Sequence, residues 1–436
     1  MTDALITGFC AIGAMIALSA FGIPIAFSIG IVGAVGLFLV GGPTFLWVMV
    51  QSLPYSVASE YSFAVIPMFV LMGTIAAYSG IIGELYGAVN RWMEGVRGGL
   101  LMATTMASAG FAAISGSTIV NAAMFTRIAL PEVIARGYHK GLSAGVIAAA
   151  GTFAALIPPS LTFVVFGILT EQSIGRLFMA GILPGLLTAG CYLIAIPTIA
   201  RLRPDWIPPS KTHWSLRDKV VGLKGIWPML VLVFIVLGGI YSGITPPTTA
   251  GALGATGALA IALVRRRISA AQIWSSMRET AELTAVLFVL IIAGLLFSRF
   301  LVLSGFVSDL TDLVTGSGLS AGGFIVVMVL MYFLLGMFID PLSMLVMTVP
   351  FVFPVINAYG MDPIWFGVIL CKMIEIGVIT PPVGLNLFAV VSASDGRVSI
   401  GEVYVGILPF ILIELGVLLI LILAPGISTF LPDTMM

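Results

Sequence analysis

Long apolar runs, parted by short polar stretches, occupy almost the whole chain. The first set falls at 4–21, 25–40, 62–80, 100–114, 119–133, 141–156, 161–170 and 178–200. A polar segment follows. The second set falls at 226–243, 247–264, 281–302, 321–338, 343–356, 363–379, 384–393 and 404–424. The runs are continuous rather than alternating, so they predict helices and not the strands of a barrel. A helical span needs about 20 apolar residues, and lipid leaves no backbone group unpaired. The predicted fold is therefore an all-α integral membrane protein. The runs at 100–114 and 119–133 are too short to span alone, and Ile114-Ser115-Gly116-Ser117-Thr118 joins them. They predict a re-entrant hairpin, which is stable only where protein or a water cavity surrounds it.

Composition agrees. Of 436 residues, 60% are hydrophobic and 9% charged, against about 25% charged in a soluble domain. Nineteen basic and nineteen acidic residues cancel, so no basic field exists to track nucleic acid. The placement of charge says more than the total, because Lys and Arg favour cytoplasmic loops. Sixteen of the nineteen lie in alternate loops. They are Arg91 and Arg97; Arg127, Arg136 and Lys140; six in 201–224; Arg265, Arg266, Arg267 and Arg278; and Arg397. The intervening loops, 41–61 among them, hold only Arg176, while Arg299 and Lys372 lie inside apolar runs. One path fits: both termini outside, with 100–133 entering from the cytoplasm and returning to it. Met1–Phe9 has no basic n-region, so no cleaved signal is expected. Trp92, Trp206, Trp214, Trp227 and Trp274 adjoin basic loops and read as interfacial anchors. Lys211–Lys224 reads as an amphipathic helix on the inner surface.

The two sets repeat each other. Pro158-Pro159 matches Pro381-Pro382 at an offset of 223, and Pro24 matches Pro246 at 222. Gly181-Ile182-Leu183-Pro184 matches Gly406-Ile407-Leu408-Pro409 at 225, and the turn at Ser115 matches Asp340-Pro341-Leu342-Ser343 at the same offset. Each half reads as three spans, a hairpin, a span broken by a double proline, and a last span. Five crossings per half is an odd number, so the second half runs inverted and its hairpin enters from outside. Residues 1–200 form the first repeat, with its inner hairpin near 100–133 and broken helix near 141–170. Residues 201–224 form the linker. Residues 225–424 form the second repeat, with its outer hairpin near 321–356 and broken helix near 363–393.

Inverted repeats with broken helices characterise secondary transporters, whose sites lie near the bilayer midplane. Pro158, Pro159, Pro381 and Pro382 bring no N–H, so nearby carbonyls lose their helical partners and can coordinate Na⁺. Hairpin tips present helix N-termini that suit a carboxylate. Candidate sodium ligands are Ser115, Ser117, Thr118 and the Pro158 break, with Asp340 and Ser343 facing Thr380 and Gly384. Asp340 stands out, because a carboxylate at depth costs at least about 2.5–3.5 kcal/mol and marks an ion or substrate path. Candidate substrate contacts are Ser117, Asn121, Ser160, Asn386 and, as a counter-charge, Arg299. Lys372 and Glu375 share a helix face and read as a structural pair. Cys10, Cys191 and Cys371 read as buried thiols. His139 and His213 lie in loops. A metal cluster or an intramembrane enzyme lacks support, because no nucleophile with a base stands at depth and no paired carboxylates share one face. The ion expected is Na⁺ alone, with no transition metal and no organic cofactor.

These motifs resemble the large membrane subunit of tripartite ATP-independent periplasmic (TRAP) transporters. The resemblance rests on Ala113-Ile114-Ser115-Gly116-Ser117-Thr118, on Ile157-Pro158-Pro159-Ser160 through Gly185, on Gly336-Met337-Phe338-Ile339-Asp340, and on Glu375 through Gly384. It implies a Na⁺-driven importer of a small organic anion, a carboxylate or sialic acid, in the bacterial inner membrane. It implies a soluble periplasmic binding protein and a small four-helix membrane subunit, here a separate chain. It also implies an elevator motion, with 62–200 and 281–424 contributing most of the moving part and 1–60 and 225–264 the scaffold. Its sodium sites map onto Ser115, Ser117, Thr118, Asp340 and Thr380. The alternative within the same class is a stand-alone anion or ion exchanger without a binding protein.

Overall fold

The computed structural model describes residues 2–93, 95–209 and 214–435. Lys211 and His213 lie outside the described residues. All regular structure among those residues is helical, and ten helices are long and apolar enough to cross a membrane. Many begin at a serine or aspartate whose side chain accepts from the first turn, as at Ser160, Ser173, Ser269, Ser320, Asp340, Asp362 and Ser399. Such caps satisfy donors that lipid would leave bare.

Both hairpins form. The first pairs Gly99–Ser115 with Thr118–Ala135, and the second pairs Ala321–Gly336 with Pro341–Ala358. Both broken helices form as well. Lys140–Gly151 and Phe153–Leu156 end at Ile157, and Leu161–Thr170 resumes. Pro363–Val378 ends before the second double proline, and Leu385–Ala393 resumes. Both Pro–Pro bonds are cis. Helix starts at Thr118 and Pro341, and at Leu161 and Leu385, keep the two repeats in step. The hairpin match therefore tightens to the offset of 223 set by the prolines, with Ser117 rather than Ser115 opposite Asp340.

The structure departs from expectation in three places. The loop expected at 41–61 is mostly helix: Ile25–Ser59 turns at Gly42, whose φ is 78°, and continues. A second helix, Ala270–Leu303, joins the polar approach and the span without a break. Short amphipathic helices, Ile81–Met93 and Phe306–Gly316, precede each hairpin. Ile25–Ser59 lies along Ala270–Leu303, and Val65–Tyr78 lies along Pro247–Val264, so each repeat clasps the other. Gly33 and Gly36 open room for Phe297 and Phe300 of the opposing helix, a small-residue seam typical of membrane packing. This packing sets 65–78 and 270–303 chiefly against scaffold segments rather than the hairpins.

The hairpin half is equally interlocked. Thr118–Ala135 packs on Leu385–Ala393, and Pro341–Ala358 packs on Leu161–Thr170. Lys140–Gly151 crosses Ile400–Leu423 so closely that a Cβ on Gly406 would overlap the Gly141 carbonyl.

Polar contacts at the helix ends gather into two sets. One holds Arg91 over Trp214, the Trp92 indole on the Lys219 carbonyl, His139 stacked on Trp206 at 4.5 Å, and Arg265 on Glu84 at 2.8 Å. The other holds Thr2 with Asp309, Arg176 with Asp433 at 2.9 Å, and Tyr359 on the Leu319 carbonyl at 2.7 Å. Cys371 is buried, Cys191 half-buried and Cys10 exposed. The buried-thiol reading thus fails for Cys10, whose position on the first helix turns away from the core. Leu216–Leu223 supplies the linker helix, bent 46° from Trp227–Tyr241.

Candidate functional site

The first hairpin turns at Gly116, whose φ of 61° is the left-handed conformation that a side chain disfavours. A Cβ there would also sit 3.1 Å from the Pro159 carbonyl oxygen. The tip lies on the first break, where the Leu161 N–H donates to the Gly116 carbonyl at 3.4 Å. Ser117 occupies the N-cap position of Thr118–Ala135, yet its side chain makes no capping bond. Ser115 Oγ is buried and has no protein partner.

The second tip is built on the same plan with different groups. Asp340 caps Pro341–Ala358, its Oδ1 accepting from the Leu342 and Ser343 N–H groups at 3.2 and 3.0 Å. Here the left-handed glycine lies in the break: Gly384 has φ 61° and donates its N–H to the Met337 carbonyl at 3.1 Å. Gly336 and Gly377 bring the hairpin arm and the broken helix into backbone contact. Thr380 Oγ1 donates to the Ile376 carbonyl at 2.6 Å.

The two tips meet at one cavity of about 240 Å³. Ser115, Gly116, Ser117 and Thr118 line it from one hairpin, and Asp340, Pro341 and Leu342 from the other. Leu161 and Thr162 close it from the first break. The opposite wall comes from Val65–Tyr78 and Ala270–Leu303: Val70, Gly73 and Thr74, then Leu283, Val286 and Leu287. Two N-termini, one carboxylate and several hydroxyls thus converge on an otherwise apolar chamber. Such a chamber can hold a cation near Asp340 and an anion near a helix N-terminus.

The other sequence candidates lie elsewhere. Asn121 is buried and ties the two arms of its hairpin together through Ser108, and the hairpin to the Gly151 carbonyl. Ser160 caps Leu161–Thr170, and Ser343 lies in the first turn behind Asp340. Asn386 donates to the Ala148 carbonyl at 3.3 Å, and its Oδ1 is buried without a partner. Pro158 is buried within its break, whereas Pro382 is exposed. Arg299 is exposed and does not line the cavity; it stands twelve residues past Leu287, about 18 Å along the helix.

Two groups escaped the sequence reading. Thr162 is buried in the cavity wall, two residues past Ser160. Glu414 is buried midway along the apolar helix Ile400–Leu423 and contacts Lys372, which also pairs with Glu375 at 2.9 Å. Two carboxylates therefore do meet at depth, from different helices. The signal for Glu414 was its depth, the same signal that marked Asp340.

A family model described as "Tripartite ATP-independent periplasmic transporter, DctM component" matches residues 12–427. A C4-dicarboxylate TRAP transporter large permease from Pseudomonas aeruginosa is 35% identical over 87% of this chain and 88% of its own length. An ectoine/5-hydroxyectoine TRAP transporter large permease from Ruegeria pomeroyi is 32% identical over 85% of this chain and 86% of its own. Among solved structures, the YdaH transporter of Alcanivorax borkumensis superposes with a TM-score of 0.65 over 88% of this chain and 89% of that one. Its 14% identity makes that a likeness of fold.

Proposed function

Because the chain belongs to the tripartite ATP-independent periplasmic transporter family as a DctM component, we propose that it imports a small organic anion together with Na⁺. It is a multi-pass membrane protein, and its relatives are transporter permeases. One observation carries the finer reading: both hairpin tips, with Asp340 and three hydroxyl residues, line a single cavity against the scaffold.

Sodium fits the residues present. Ser115 Oγ and Asn386 Oδ1 are buried oxygens that lack a protein donor, and each lies in or beside a tip or break rich in freed carbonyls. Ser115, Ser117, Thr118 and the carbonyls of the Pro158 break would hold one ion. Asp340 and the carbonyls of the Thr380–Gly384 break would hold another. The substrate carboxylate would sit in the cavity, against the N-terminus of Thr118–Ala135. Each co-transported charge adds about 2.3 kcal/mol per 100 mV of membrane potential.

In this reading the hairpins and broken helices move as a body past the scaffold, an elevator form of alternating access. Both termini face the periplasm, where a soluble binding protein delivers the anion. A small membrane subunit covers the scaffold.

Uptake into proteoliposomes containing the complete complex tests the proposal. The C4-dicarboxylate and ectoine named for the relatives are the first substrates to try. Uptake should rise with an inward Na⁺ gradient and vanish without Na⁺. Uptake that persists without Na⁺ would overturn the coupling.

A further inference from the structure

Three helices of the hairpin half meet at a cluster of ionisable groups remote from the cavity lining. Lys372 and Glu375 stand on Pro363–Val378, Glu414 on Ile400–Leu423, and Thr188 and Tyr192 on Ile174–Leu202. All five are buried, none more than 1% exposed.

Their hydrogens can be counted. An ammonium has three. Lys372 donates to Glu375 Oε2 at 2.9 Å and to Thr188 Oγ1 at 3.0 Å, and its ammonium stands in ion-pair contact with Glu414 Oε2. The Tyr192 hydroxyl donates to Glu414 Oε1. Thr188 donates its own hydrogen to the Pro184 carbonyl at 2.9 Å. Beyond that ion-pair contact Glu414 Oε2 has no hydrogen-bond partner, and Glu375 Oε1 is buried with no contact of either kind.

The charges do not close either, since two carboxylates share one ammonium. Surrounding elements bring no second cation. Cys371 and Cys191 are the nearby thiols. The helices packed alongside, Gly99–Ser115, Phe153–Leu156, Ala321–Gly336 and Pro341–Ala358, carry no Lys, Arg, His, Asp or Glu. Tyr332, which faces Pro363–Val378 from the second hairpin, is bonded to Thr348. Lys140 lies beside Glu402 at the far end of its helix, and Asp433 of Gly426–Met435 pairs with Arg176.

The fold does not require these charges. At the offset of 223, Lys372 and Glu375 correspond to Ala149 and Thr152, and the first repeat builds the same broken helix from them.

We infer that the cluster is a proton-binding site. One proton resides on Glu375, at the Oε1 that no protein donor reaches, and leaves the cluster neutral. A bare negative charge buried among apolar helices is far costlier than a neutral carboxyl. A metal ion would need several oxygens around it, and Lys372 already holds the position between the two carboxylates. A proton needs no such room.

Infrared difference spectroscopy of the full chain in lipid at neutral pH tests this. The wild type should show a protonated-carboxyl stretch that shifts in D₂O and is lost in Glu375→Gln. The stretch should also be lost in Glu414→Gln, because one carboxylate then faces one ammonium. Absence of the stretch in the wild type, or its survival in either variant, overturns the proposal. So does a Glu375→Gln chain that fails to fold, since the amide matches the protonated acid in shape and charge.

Discussion

The two hairpin–break pairs share a backbone and differ in their chemistry. In both, the N–H just past the double proline, from Leu161 or Gly384, donates to a carbonyl at the hairpin turn, Gly116 or Met337. The left-handed glycine has changed sides, from hairpin in the first repeat to break in the second. Ser117 leaves its cap position unbonded, while Asp340 accepts two N–H groups through one oxygen. The first break is buried, whereas the second exposes Pro382. What the repeats keep in common is thus the docking of hairpin on break. A charge at the tip, Asp340, and fully buried charges, Lys372, Glu375 and Glu414, belong among the described residues to the second repeat alone.

The sharpest way to break this comparison is to give the second tip the side chain of the first. Asp340→Ser should retain a capping oxygen and a folded chain. It should lower Na⁺-driven uptake about a hundredfold, the scale of one lost charged ligand. Near-normal uptake would show that the charge at the second tip is dispensable. Next, Ser115→Ala removes a hydroxyl that no protein group uses. Thermal stability should hold, while the Na⁺ concentration for half-maximal uptake should rise about tenfold, the scale of one neutral ligand bond. An unchanged Na⁺ dependence would leave the first tip as structure only. The smallest effects belong to the exchanged glycines. Gly116→Ala and Gly384→Ala should each cost about 1–2 kcal/mol in an unfolding assay. A marked inequality between them would mean that the two docking bonds do not play matching parts.

Much of this was legible because it rests on backbone-breaking residues. Double prolines and serine or aspartate caps act locally, so Pro158-Pro159, Pro381-Pro382, Ser117 and Asp340 locate both breaks and both tips from sequence. Other candidates stand apart from the cavity because a polar side chain does not announce its partner. Asn121 and Ser160 turn inward to backbone carbonyls and N–H groups, whereas Thr162 turns to the cavity. Arg299 falls on the outward face of a helix whose rotation only packing against Ile25–Ser59 determines. Glu414 was passed over because its ammonium comes from another helix, and depth alone does not reveal such a pairing. Gly42 turns the scaffold helix without ending it, so a predicted loop became helix.

The cavity wall opposite the tips has a mechanical consequence for the proposed motion. Val70, Leu283, Val286 and Leu287 offer hydrocarbon, and the one hydroxyl there, on Thr74, is already bonded to the Leu71 carbonyl at 3.1 Å. Every other polar cavity residue lies on the hairpins or the first break. A solute gripped by the tips meets there only the lone pairs of one hydroxyl whose hydrogen is already used. In the proposed elevator motion this wall would serve as the slip plane. Dispersion forces there are small per atom and indifferent to register, so in that proposed motion friction would stay low and cargo would travel with the body that holds it.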